Sequence, residues 1–126
     1  MRKYVLLVIA FILGIKYGIG YILSPKFQAY ADKTKAPWTC ELDNFLGNLL
    51  IVMSRYEEAI TRFTATINRC PETASSEVAE YKVAECLADL GRNHDAESAY
   101  RAFAVKYSGT KRARIADKAA DLLHIP

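Results

Sequence analysis

Twenty consecutive positions, Tyr4 to Leu23, read YVLLVIAFILGIKYGIGYIL and carry a single charged residue, Lys16. At 1.5 Å per residue they make about 30 Å of helix, the thickness of a hydrocarbon core. Residues 1–23 are therefore expected to form an N-terminal transmembrane anchor. Of the 126 residues, fewer than a hundred then remain for water-soluble structure. That is enough for one small domain with a modest margin of stability.

Arg2 and Lys3 before the run, and Ala29-Tyr30-Ala31 after it, also sketch a cleavable secretory signal. The apolar run is longer than the usual signal core, and Lys26 stands between it and the small residues, so an uncleaved single-pass anchor is the better reading. Gly14 and Gly18 are spaced as G-x-x-x-G, a strip that lets another helix backbone approach closely, with Tyr17 and Tyr21 one turn apart. Lys16 lies about 200° around the helix from Gly14. An ammonium at that depth has to snorkel, reach water or find a partner. Gly14, Lys16, Tyr17, Gly18 and Tyr21 are the expected helix–helix contacts in the membrane.

The formal charge of +3 is unevenly spread. Residues 1–39 hold six basic residues and one acidic, or +5; residues 40–126 hold 11 basic and 13 acidic, or −2. Lys26, Lys33 and Lys35 are thus expected beside lipid headgroups. The folded part is slightly acidic, which argues against nucleic-acid binding. Basic residues flank both ends of the apolar run, so charge does not settle which side of the membrane the domain occupies.

Residues 24–39 read as a linker bracketed by Pro25 and Pro37, with Trp38 at its end. From residue 40 to 126 the apolar period is helical throughout. Leu42, Phe45, Leu46, Leu49, Leu50 and Met53 make a first inward stripe; Tyr56, Ala59, Ile60, Phe63 and Ile67 make a second, ended by Pro71. The serines of PETASSE are placed to cap a third helix carrying Val78, Tyr81, Val83, Ala84, Leu87 and Leu90, which stops at Gly91. A fourth carries Ala96, Ala99, Tyr100, Phe103, Ala104 and Tyr107. Thr110 is the expected cap of a fifth, with Ile115, Ala116, Ala119, Leu122 and Leu123 inward. The fold class is all-α: one transmembrane helix, then two helical hairpins and a capping helix. Where the helices of a hairpin cross closely, a small residue faces a ring, with Ala59 and Ala96 small and Tyr56, Phe63 and Tyr100 the rings.

Leu46, Gly47, Tyr56, Ala59, Phe63 and Pro71 in the first hairpin, and Ala84, Gly91, Ala96 and Tyr100 in the second, resemble the signature of the tetratricopeptide repeat (TPR). Asp43 and Glu80 stand at the signature tryptophan, Ser108 at the second proline, and Gly91 follows Ser54 by 37 positions rather than 34. The resemblance covers roughly residues 40–108. It implies protein recognition in a groove lined by the first helix of each hairpin. Glu41, Asn44, Asn48, Ile51 and Val52 would face it from one hairpin, and Val78, Tyr81, Glu85, Ala88 and Asp89 from the other. None of these is basic, so a carboxylate clamp for acidic tails is disfavoured.

Cys40 begins one helix and Cys70 ends its antiparallel partner, so the two can form a disulfide at the base of the first hairpin; two separate buried thiols are the alternative. An oxidised pair implies periplasm or mitochondrial intermembrane space. His94 and His124 have no metal-ligand spacing, and no cofactor is expected. No nucleophile elbow or phosphate loop is present, so an enzyme is not expected. Arg55, Glu57, Glu58 and Arg62 read as a solvated helix face. Lys111, Arg112 and Arg114 oppose the dipole of the fifth helix and form a candidate basic contact patch. The expected function is a membrane-anchored protein–protein interaction module. It would be a scaffolding or accessory subunit of a larger membrane complex, contacting other subunits through its membrane helix and groove. The alternative is a freestanding receptor or assembly factor that captures clients at a membrane, with its domain in the cytosol and its cysteines reduced.

Overall fold

The computed structural model describes residues 2–22, 24–34 and 36–124. The chain divides into two compact units, Met1–Lys35 and Ala36–Pro126. Every element among the described residues is helical.

The first unit holds α1 (Arg2–Ile22) and α2 (Pro25–Thr34). By length and composition α1 can cross a membrane, and none of its residues is buried. Leu23 and Lys35 lie outside the described residues. The stretch read as a linker contains a helix, α2, and the cause is local. Ser24 accepts a hydrogen bond on Oγ from the Phe27 N–H at 3.3 Å, and Pro25 takes the first helical position, where its missing N–H costs nothing. Pro37 does the same at the start of the next helix. The two prolines open helices rather than break them.

The second unit holds α3 (Pro37–Val52), α4 (Tyr56–Arg69), α5 (Ala74–Asp89), α6 (Asn93–Lys106) and α7 (Lys111–Leu123). Each helix packs on the next, and α3 also reaches α5. Two turns show that the hairpins repeat in geometry. Arg55 N–H donates to Leu50 C=O at 2.8 Å and Ser54 N–H to Ile51 C=O at 2.9 Å; the equivalent bonds 37 residues on, Arg92 to Leu87 and Gly91 to Ala88, are both 3.0 Å. These are paired helix C-terminal bonds around a left-handed residue, Gly91 at φ 78° in one hairpin and Ser54 at φ 58° in the other. Thr110 caps α7 by accepting from the Ala113 N–H. The cap of α5 is Thr73 rather than a serine: its extended backbone aims the hydroxyl at the Ser76 N–H, while Ser75 and Ser76 lie inside the helix.

Two apolar clusters fill the stack. Leu50, Ala59, Phe63, Ala79 and Cys86 form the first; Ala84, Ala96, Tyr100, Phe103, Ala104, Ala113, Ala116 and Ala120 form the second. The small-against-ring contact is sharpest at Gly47, where a Cβ would meet three ring atoms of Phe63 at 2.6, 2.8 and 2.9 Å. Phe63 is fully buried and cannot easily retreat. Gly47→Ala is expected to lose up to about 2 kcal/mol: overpacking of about 1–3 kcal/mol is set against the ~1 kcal/mol that alanine gains in helix propensity. Urea denaturation of the full chain in mild detergent reads this loss. The alanine should cost less in a Phe63→Leu background.

Two inward stripes need correction. Phe45, Leu49 and Met53 are exposed, because α3 turns Leu46, Gly47 and Leu50 toward α4 and α5 and has no helix of the second unit on its other side. On α7, Ala113, Ala116 and Ala120 are buried, while Ile115 and Leu122 face out. A helix at the end of a stack buries one narrow stripe, and on α7 small side chains fill it.

Candidate partner-binding surface

The surface begins from a lock at the base of the first hairpin. Cys40 and Cys70 are joined by a disulfide with a Cα–Cα distance of 6.5 Å. Thr66 Oγ1 donates to the Cys40 carbonyl at 3.2 Å. One turn along α3, Asp43 is buried and its carboxylate meets Arg69 through Oδ2 and Arg62 through Oδ1, the latter at 3.4 Å. Loss of hydration raises the Asp43 carboxyl above its ordinary range, against the pull of Arg69 and then Arg62. Arg62 therefore does not belong to the solvated face assigned to it with Arg55, Glu57 and Glu58. It turns inward because Asp43 would otherwise lack one of its two cations. The second hairpin repeats the pairing 37 residues on, with Glu80 accepting from Lys106 at 2.6 Å and from Tyr107 Oη at 3.2 Å.

This lock ties α3 to α4, and the Glu80 pairing ties α5 to α6; α3 and α5 carry the expected groove residues. Asn48, Val52 and Asp89 are exposed, Val52 at 82%. Asn44 instead bridges the helices, donating Nδ2 to the Ser75 carbonyl at 2.9 Å. Ile51 packs against the first cluster and Tyr81 and Ala88 against the second, with Tyr81 edge-on to Tyr100 and Phe103 at 5.7 and 5.5 Å. Glu85 pairs with Lys82 at 2.9 Å. So the groove set divides: Asn44, Ile51, Tyr81 and Ala88 hold the helices together, Glu85 is paired within α5, and Asn48, Val52 and Asp89 are open to a partner.

The basic patch divides too. Arg112 Nη1 lies 3.2 Å from Glu77 and its guanidinium 6.0 Å from the Tyr81 ring centroid. Lys111 and Arg114 are exposed. A hollow of about 410 Å³ opens between α5 and α7, lined by Glu77, Tyr81, Thr110, Lys111, Arg112 and Ile115. In the first unit, Gly14 and Gly18 have nothing within 4 Å of where a Cβ would stand. Lys16, Tyr17 and Tyr21 are exposed, and Tyr21 also meets the Phe27 ring at 5.9 Å. Lys26 and Lys33 lie exposed on α2.

The remaining thiol, Cys86, is fully buried. Burial, helped by Asp89 and Glu85, pushes it up to about 11, so it is a protonated core residue rather than a nucleophile. The folded thiol keeps its proton to about pH 11, whereas an unfolded one releases it near pH 8.5. Its contribution to stability is whole below about pH 8.5 and is lost as the pH rises toward 11. Burial raises Tyr100 as well, with the same sign at higher pH. Urea midpoints are expected to fall with rising pH across this range, and Cys86→Ala to reduce the slope. Among the described residues no group of three or more His, Cys, Asp or Glu is arranged to hold a metal ion.

Comparison with family models, curated proteins and solved structures yields no match to this chain.

Proposed function

We propose that this chain is a single-pass membrane protein whose tetratricopeptide-like stack serves as a protein–protein interaction module. In this reading it is a scaffolding or accessory subunit of a larger membrane complex. The observation that carries it is the pairing, on one chain, of a 21-residue apolar helix with a small disulfide-stapled helical stack. Two modest contacts on one chain, one in the membrane and one outside it, reinforce each other through effective concentration. The disulfide supports an oxidising compartment such as periplasm or intermembrane space over a client receptor in the cytosol. The glycine strip of α1 and the open positions Asn48 and Asp89 are the contacts assigned to other subunits.

Gentle solubilisation of native membranes, isolation of this chain and weighing of what accompanies it tests the proposal. A subunit brings other membrane proteins at constant ratio, and loses them when Gly14 and Gly18 are changed to Leu. A lone chain, or a shifting mixture of soluble clients indifferent to those changes, would refute it.

A further inference from the structure

The two ends of the helical stack differ in kind. At the α7 end the exposed face is mostly charged: Lys111, Arg114, Asp117, Lys118 and Asp121 surround the exposed Ile115 and Leu122, which suits the terminal helix of a stack. At the α3 end the outer face is apolar, with Phe45 exposed at 59%, Val52 at 82% and Met53 at 60%, and Trp38 and Leu49 partly exposed. Trp38, Leu42, Phe45, Leu49 and Val52 follow one another at alternating steps of four and three residues. That is the 3.5-residue spacing of a helix–helix seam, sustained for two heptads. A water-soluble end has no use for such a seam.

We infer that this seam pairs with the same seam of a second copy of the chain. Charge and spacing select this occupant. Helix α3 contains no Lys or Arg, so it offers nothing to anionic headgroups or to an acidic helix. Its one buried acid, Asp43, is turned inward to Arg62 and Arg69, which leaves Glu41 at the edge of the seam as its only exposed acid. An uncharged seam meets its own copy with no like charges opposed at its centre, and the leucines of one copy fill the spaces between the larger side chains of the other. The open side chains would bury on the order of 500 Å² per copy, short of the roughly 800 Å² per partner of a standard stable interface. The pairing is therefore reversible. The inference goes beyond the subunit reading and rests on α3 alone.

The test is the mass of the full chain in mild detergent, followed by light scattering through a dilution series. Wild type should be a dimer when concentrated and dissociate on dilution, while Phe45→Glu/Leu49→Glu should be monomeric throughout with an unchanged helical spectrum. A wild type that is monomeric at every concentration overturns the inference, whether or not it binds neutral vesicles instead. So does a variant as dimeric as wild type. Should the double variant lose its helical spectrum, Phe45→Cys decides. Residue 45 is the midpoint of the seam and faces its own copy in either relative direction. Mild oxidation should link Phe45→Cys chains into covalent dimers and leave Lys118→Cys chains, altered at the polar end, unlinked. No link at position 45, or equal linking at both positions, overturns the pairing.

Discussion

Asp43→Ala is expected to destabilise the helical unit by about 3–5 kcal/mol, the cost of breaking a buried ion pair by removing the carboxylate that Arg62 and Arg69 share. The Asp43 side chain is 2% exposed, that of Arg69 3% and that of Arg62 13%, so water cannot take the place of the carboxylate. Glu80→Ala provides the internal control. It removes the equivalent acid 37 residues on, but its partner Lys106 is 49% exposed and can rehydrate. Equilibrium denaturation of the full chain in mild detergent should show a loss at Asp43 several-fold larger than at Glu80. Equal losses would mean that the lower-dielectric setting of the first hairpin does not matter, contrary to the burial described.

Opening the Cys40–Cys70 bond carries the other large effect. The bond joins residues 30 apart, and the restraint it places on the unfolded chain is about 3.5 kcal/mol on a chain-entropy basis. For a unit of this size that corresponds to a fall of roughly 15–25 °C in Tm. Cys40→Ala/Cys70→Ala should show the loss in non-reducing buffer, and reduction of wild type should reproduce it. The two largest effects lie one helical turn apart on α3, so the double change at Cys40 and Asp43 should be non-additive. The base of the first hairpin is thus where stability concentrates, and this fixes the angle at which α3 presents its outer face.

Much of this architecture is legible in the sequence because alanine-rich helices advertise a narrow buried stripe. On α4 and α6, Ala59, Phe63, Ala96, Tyr100 and Phe103 point inward as their spacing requires. Helix α3 is different: Trp38, Leu42, Phe45, Leu46, Leu49, Leu50, Ile51, Val52 and Met53 cover most of its circumference, so periodicity alone cannot choose the buried side. Packing chose the side with Gly47, which alone lets Phe63 approach. Helix α2 was hidden because Pro25 and Pro37 read as breakers, whereas each occupies the first position of a helix, where a proline is tolerated. The Asp43 cluster was hidden because Arg62 and Arg69 are 19 and 26 residues away, and their charges look like ordinary surface patterning until the hairpin closes. The candidate contact residues were legible as positions on α1, α3, α5 and α7. Which of them were already engaged, as Asn44, Tyr81 and Arg112 are, depended on neighbours from other helices.

The most direct measurement is the intact mass of the chain taken from native membranes, alkylated first without and then with reductant. Retention of residues 1–23 is expected, with Cys40 and Cys70 modified only after reduction and Cys86 only after unfolding. A mature chain beginning beyond Ala31, or Cys40 and Cys70 both modified before reduction, would contradict a membrane-anchored stack held in an oxidising compartment.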